Sequence, residues 1–182
     1  MRPPVNIKRR AVLPVTAMAV VVVSSNYLVQ FPINDWLTWG AFTYPAAFLV
    51  TDLTNRLVGP RMARGVAMVG FALAVVLSLW LADPRIAVAS GSAFLCSQLL
   101  DITVFNRLRQ RVWWLPPLVA STVASVLDTT VFFSLAFAGT GLPWLTWALG
   151  DLAVKLAFAV LLVAPFRAVV SLAETRRLAG VR

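Results

Sequence analysis

The chain has no histidine and a single cysteine, Cys96. A disulfide within it is impossible, and zinc chemistry loses its two commonest ligand types. Cys96 lies in an apolar run and reads as a small buried packing residue. Charge is scarce as well. Asp, Glu, Lys and Arg make up 13% of the chain, against about 25% in an ordinary soluble domain. Acidic groups are the scarcest, with 7 against 16 basic residues. No glycine-rich phosphate loop is present, and no stretch is long enough for an ATPase domain. Linkers and low-complexity segments are missing too.

What the chain has is apolar surface. Hydrophobic residues make up 60% of it and the mean hydropathy is +0.83, which points to a membrane protein. A net charge of +9 invites a nucleic-acid reading, but the charges fall in short clusters between apolar runs, so no nucleic acid is expected. Six runs are long enough to cross a hydrocarbon layer of about 30 Å: 11–31, 36–57, 62–82, 86–106, 115–138 and 144–167. The first follows Lys8, Arg9 and Arg10 but lacks a small-x-small cleavage site, so it is read as a retained helix. The expected architecture is all-α, one six-helix transmembrane domain over 1–182.

Orientation follows from the cations. Fourteen of the sixteen lie at the N-terminus, in the second and fourth loops (Arg56, Arg61, Arg64; Arg107, Arg109, Arg111) and at the C-terminal end. The opposite loops hold only Arg85. Both termini are therefore expected in the cytoplasm. Trp36, Trp39, Trp80, Trp144 and Trp147 fall near outer helix ends, and Trp113 and Trp114 at an inner end, as an interfacial aromatic belt requires.

Four carboxylates remain inside the runs: Asp52, Asp101, Asp128 and Asp151. A charge at a helix centre costs about 2.5–3.5 kcal/mol on insertion scales. Interhelical hydrogen bonds return only about 0.6 kcal/mol each, so helix glue does not explain four of them. Residues three or four apart share a helix face. That spacing aligns Tyr44, Phe48, Asp52 and Asn55; Phe94, Gln98, Asp101 and Phe105; Ser121, Ser125, Asp128 and Phe132; and Trp147, Asp151, Lys155 and Phe158. Each row joins aromatic surface to a carboxylate. Such a lining suits a flat heterocycle: rings stack on aromatics, a carboxylate accepts from adjacent N–H groups, and an amide serves a neighbouring carbonyl. An amine or amidine would also suit it. Asp151 and Lys155 read as a neutralised i,i+4 pair, or else as a coupling or substrate contact. Arg56 and Arg107 are expected to snorkel to lipid phosphates. Pro45 is expected to kink the second run, while Pro14 and Pro165 lie near helix ends. "LDITVF" at 100–105 echoes "LDTTVF" at 127–132.

"SSNYLVQFP", "TWGAFTYPAAFLVTDLTNRLVG", "SQLLDITVFNRLRQRVWWLPP" and "LDTTVFFSLAF" resemble the queuosine precursor transporters, also called the vitamin uptake transporter family, over roughly 24–167. The resemblance implies uptake of 7-cyano-7-deazaguanine and 7-aminomethyl-7-deazaguanine across the bacterial inner membrane. It also implies a fold similar to the six-helix substrate-binding subunits of energy-coupling-factor transporters. Asp52, Asn55, Gln98, Asp101, Asn106, Asp128, Asp151 and Lys155 match the family's polar pattern. Arg56 stands where many members carry Glu, and Ser125 where many carry Asn or Gln.

The expected function is a secondary uptake transporter. Its substrate-binding residues are Tyr44, Phe48, Asp52, Asn55, Gln98, Asp101, Asp128 and Asp151; Asp151 and Lys155 form the coupling or charge pair. At least one carboxyl is available to couple uptake to a proton gradient. The partners are a deazapurine base and the bilayer, and a homo-oligomer is compatible with the sequence. No cofactor or metal is expected. The alternative is a binding subunit of a modular energy-coupled transporter for a vitamin-like heterocycle. An intramembrane protease is disfavoured: "ALGDL" at 148–152 carries Ala148 where Gly-x-Gly-Asp needs glycine, and no Tyr-Asp partner motif exists.

Overall fold

Apolar runs punctuated by proline and glycine fold into helices joined by short turns. The computed structural model describes residues 7–28, 31–34, 36–81 and 84–179. Arg2 and Arg182, counted in the charge pattern, lie outside the described residues. The first helix, α1 (Ile7–Leu28), keeps Pro14 in its interior rather than near an end. Membrane helices tolerate this because neighbours re-satisfy the freed backbone groups.

The second expected crossing is not one helix. Two short strands pair antiparallel instead, β1 (Pro32–Asn34) with β2 (Leu37–Thr38). Asn34 Oδ1 makes the turn by accepting from the Trp36 and Leu37 amides at 2.9 and 3.0 Å. Helix then comes in two pieces, α2 (Gly40–Thr43) and α3 (Ala46–Leu57). Pro45 has no N–H to give to the preceding turn, so the break falls at Tyr44–Pro45. Gly59, at φ 124°, ends this segment in a conformation that side chains resist, and Pro60 opens the next helix.

Three long helices follow: α4 (Pro60–Leu81), α5 (Pro84–Leu108) and α6 (Leu115–Phe137). The last expected crossing divides at Leu162 into α7 (Trp144–Leu161) and α8 (Val163–Ala179). Pro165 falls in the first turn of α8, where a missing N–H costs little. Among the described residues, four stretches are long and apolar enough to cross a membrane: Pro60–Leu77, Pro84–Leu108, Leu115–Phe137 and Trp144–Arg176. The apolar part of α1, Ala11–Ser25, is shorter.

Polar and apolar residues are sorted opposite to a water-soluble fold. Leu13, Val20, Trp80, Leu145, Leu149 and Val160 are exposed, while Asp52, Asn55, Gln98, Asp101, Asp128 and Lys155 are buried. Cys96, expected in the interior, is exposed instead. It lies on the outward side of α5 with Leu99 and Val88, because the opposite side is taken by Phe94, Ser97, Gln98 and Asp101.

α5 and α6 are antiparallel neighbours and make the most extensive helix pair among the described residues. Arg85 at the start of α5 closes one end of that pair. Its Nε and Nη2 donate to the Leu135 and Ala138 carbonyls at 2.8 and 2.6 Å. A cation over the last carbonyls of α6 complements the helix dipole, which gives the lone Arg of the opposite loops a structural use.

α1 and α4 pack against α3 and α5 through Met18, Val22, Ala47, Val66, Ala74 and Phe94. Gly70 permits the approach: a Cβ there would meet Met18 Cγ at 2.8 Å and Phe94 Cζ at 2.9 Å. Gly70→Ala is expected to destabilise the fold by about 1–3 kcal/mol through overpacking. A lower unfolding temperature in mild detergent is the expected readout, and an unchanged or higher one would show that Met18 and Phe94 yield.

Candidate functional site

All four intramembrane carboxylates turn inward, and they form two groups with opposite electrostatics. Lys155 of α7 is the hub of the first group. Its Nζ donates to Asp128 Oδ2 at 2.7 Å, to Thr129 Oγ1 at 3.2 Å, and to Asp151 one turn earlier on the same helix. Asp128 Oδ1 accepts from the Tyr44 hydroxyl at 2.8 Å and the Ser97 hydroxyl at 3.1 Å. Thr129 donates to Asp151 Oδ2 at 2.8 Å. The ammonium also stands 5.2 Å from the Tyr44 ring centroid, within cation–π range. The expected Asp151–Lys155 pair is thus present, with Asp128 as a second carboxylate that sequence spacing did not reveal. One cluster ties α5, α6 and α7 to the α2–α3 break.

The second group has no such neutralisation. Asp52 of α3 and Asp101 of α5 lie side by side. Asp52 Oδ2 accepts from Ser121 of α6 at 3.3 Å. Asp52 Oδ1 and both oxygens of Asp101 take no donor among the described residues. Ionised carboxyls are acceptor-only, so neither can satisfy the other. Gln98 accepts from the Thr51 hydroxyl through Oε1, while its buried Nε2 has no partner among the described residues.

A narrow cleft opens between α3, α6 and α7. It is lined by Pro45, Phe48, Leu49 and Asp52; by Pro117, Ser121 and Ser125; and by Lys155, Ala159, Leu162 and Val163. Of the residues expected to bind substrate, Phe48 and Asp52 line it, and Lys155 joins them. Tyr44, Asp128 and Asp151 sit around Lys155, and Gln98 and Asp101 sit on α5 beside Asp52. Ser121, Ser97 and Thr51 were not in the expected binding set. Ser97 and Thr51 are one residue off the helical rows, and only the neighbouring helices reveal them.

Asn55 is placed differently. Its Nδ2 donates to the Ile102 carbonyl at 3.3 Å, and Oδ1 accepts from Arg109 Nη1 at 3.3 Å. Arg109 also caps the end of α3, donating to the Asn55 and Arg56 carbonyls at 2.9 and 2.8 Å. Arg56 Nη1 returns a bond to the Arg109 carbonyl at 3.2 Å. Arg56 therefore reaches the protein backbone, contrary to the expected lipid contact, because two parallel helix ends here expose carbonyls to each other's arginine. Burial, and then the Arg56 charge, lower the Arg109 pKa from the ordinary arginine value. Arg107 and Asn106 are exposed.

The family described as "Putative vitamin uptake transporter" matches residues 38–83 and 79–170. The "Probable queuosine precursor transporter" of Haemophilus influenzae is 35% identical over 205 residues, covering 90% of this chain and 87% of that protein. The "Queuosine precursor transporter" of Escherichia coli is 36% identical over 188 residues, covering 87% and 85%. A Bacillus subtilis protein named "Probable queuosine precursor transporter" is 28% identical over 130 residues, covering 56% and 57%. No solved structure matches.

Outward apolar helices around inward carboxylates mark a multi-pass membrane protein, helical apart from the β1–β2 hairpin. The chain belongs to the vitamin uptake transporter family.

Proposed function

We propose that this protein takes up queuosine precursors, 7-cyano-7-deazaguanine and 7-aminomethyl-7-deazaguanine, across the bacterial inner membrane. The observation that carries this reading is Asp52: a buried carboxylate whose Oδ1 has no donor among the described residues, lining a cleft beside the Phe48 ring. A deazaguanine presents adjacent N–H donors that an ionised carboxylate accepts together. Phe48 offers the ring face, and Ser121 and Ser125 offer hydroxyls that adapt as donor or acceptor. Lys155 holds the far wall through Asp128 and Asp151. Asn55 and Arg109 fix the end of α3, so they position Asp52 rather than touch the ligand. The cleft is narrow, so α3 and α6 part to admit a bicyclic base.

The six crossings are α1, the broken α2–α3, α4, α5, α6 and the paired α7–α8. They form a single domain similar in plan to the substrate-binding subunits of energy-coupling-factor transporters, with both termini in the cytoplasm. Vesicles reconstituted with the purified protein test the function. Labelled 7-cyano-7-deazaguanine is expected to enter the lumen faster than in protein-free vesicles. Excess unlabelled 7-aminomethyl-7-deazaguanine, but not adenine, is expected to compete. Entry at the protein-free rate contradicts the proposal.

A further inference from the structure

The repeated motif gives two aspartates on adjacent antiparallel helices with unequal surroundings. Asp128, in "LDTTVF", has a lysine, a tyrosine hydroxyl and a serine hydroxyl. Asp101, in "LDITVF", is 0% exposed and has no donor on either oxygen among the described residues. The residue after each aspartate differs in the same sense: Thr129 bonds Lys155 and Asp151, whereas Ile102 packs against Ala63 and Ala67 of α4.

A fully buried carboxylate beside a second one requires a positive charge from somewhere. The groups facing Asp101 do not supply it. α3 presents Asp52, α6 contributes the Ser121 hydroxyl through Asp52, and the α4 alanines Ala63 and Ala67 pack on the adjoining Ile102. Lys155 of α7 is engaged with Asp128 and Asp151, and Arg109 with the carbonyls of α3. A metal ion is a poor fit, since it wants about six oxygen ligands. Among the described residues no group of three or more metal-binding side chains exists. The adjoining Gln98, also 0% exposed, points to the same conclusion with its unpartnered amide N–H, which would repel a cation and suits a carboxyl oxygen.

We infer that Asp101 is a proton-binding site, coupled through Asp52 to the ligand in the cleft. The inference rests on the transport reading above and assigns its driving ion. The proton arrives from water on the outer side, forms an O–H bond on Asp101, and leaves to water on the inner side with the ligand. While it is held, Asp101 donates to Asp52. Asp52 stays ionised and presents its other acceptor sites to the N–H groups of the base. Ligand and proton then favour each other's binding, and the coupling is reciprocal.

Affinity measured against pH tests this, using purified protein and 7-cyano-7-deazaguanine in several buffers of different ionisation enthalpy. In the native protein, Kd is expected to rise with pH, by up to tenfold per unit where the slope is steepest. The binding enthalpy is expected to vary with buffer, reporting proton uptake. Asp101→Asn mimics the protonated state and is expected to bind without pH or buffer dependence. If that variant fails to fold, Asp101→Glu is expected to keep the proton uptake with a displaced pH profile, and an undisplaced profile overturns the inference. It is also overturned if native binding is independent of pH and buffer, if Asp101→Asn keeps the native slope, or if a folded Asp101→Asn binds nothing. Failure of the native protein to bind at any pH strikes the transport reading instead.

Discussion

Lys155→Ala is expected to be the most damaging single substitution in the membrane interior. It removes the cation shared by Asp128 and Asp151, leaving Asp128 buried and Asp151 half-buried without a counter-charge. Breaking a buried ion pair from one side costs about 3–5 kcal/mol, a large part of the roughly 5–15 kcal/mol that holds a typical domain. Three acceptors lose Nζ together: Asp128 Oδ2, Asp151 Oδ2 and Thr129 Oγ1. The expected result is poor accumulation in membranes and a strongly lowered unfolding temperature in mild detergent. The remedy separates charge from shape. Lys155→Met combined with Asp128→Asn and Asp151→Asn removes the stranded charges while keeping the volume of the cluster. This triple variant is expected to recover most of the lost stability. If Lys155→Ala unfolds at the native temperature, water already reaches Asp128 and Asp151, and the cluster is not the hub described.

Asp52→Asn is expected to separate stability from function. The Ser121 hydroxyl keeps an acceptor in the Asn carbonyl, and one of two adjacent acidic groups disappears. The unfolding temperature should therefore hold or rise. Ligand binding should not survive: the amide offers one carbonyl where the carboxylate offered two oxygens, and its NH2 opposes a ligand N–H. Hydrogen bonds to charged groups contribute about 1.5–3 kcal/mol each. A loss of about 3 kcal/mol corresponds to roughly a hundredfold in Kd. Equilibrium binding of 7-cyano-7-deazaguanine to the folded variant checks this, and a change under threefold would remove Asp52 from the ligand contacts.

Much of the interior was legible before the fold. Helical spacing put Phe94, Gln98, Asp101 and Phe105 on one face of α5, and all four are buried. The same spacing put Phe48, Asp52 and Asn55 on the buried face of α3. Spacing within a helix cannot say which helix stands opposite. Hence Asp128 meeting Lys155, Ser97 reaching Asp128 and Thr51 reaching Gln98 had no signal in the chain. The partners of Asn55 and Arg56 were hidden for a related reason. The carbonyls they serve become exposed only when the ends of α3 and the loop after α5 come together. The hairpin strands at 32–34 and 37–38 straddle the junction of two apolar runs, and they carried no signal because their turn depends on one Asn34 side chain rather than on any period. Cys96 followed the hydropathy of its run into the interior, whereas in a membrane the apolar side of a helix faces outward.

A structure determined with 7-cyano-7-deazaguanine bound tests the central claim most directly. The base is expected between α3, α6 and α7, its face on Phe48 and its N–H edge on Asp52, with Lys155 still paired to Asp128 and Asp151. A base seated elsewhere, with Asp52 untouched and the cleft closed, would contradict it.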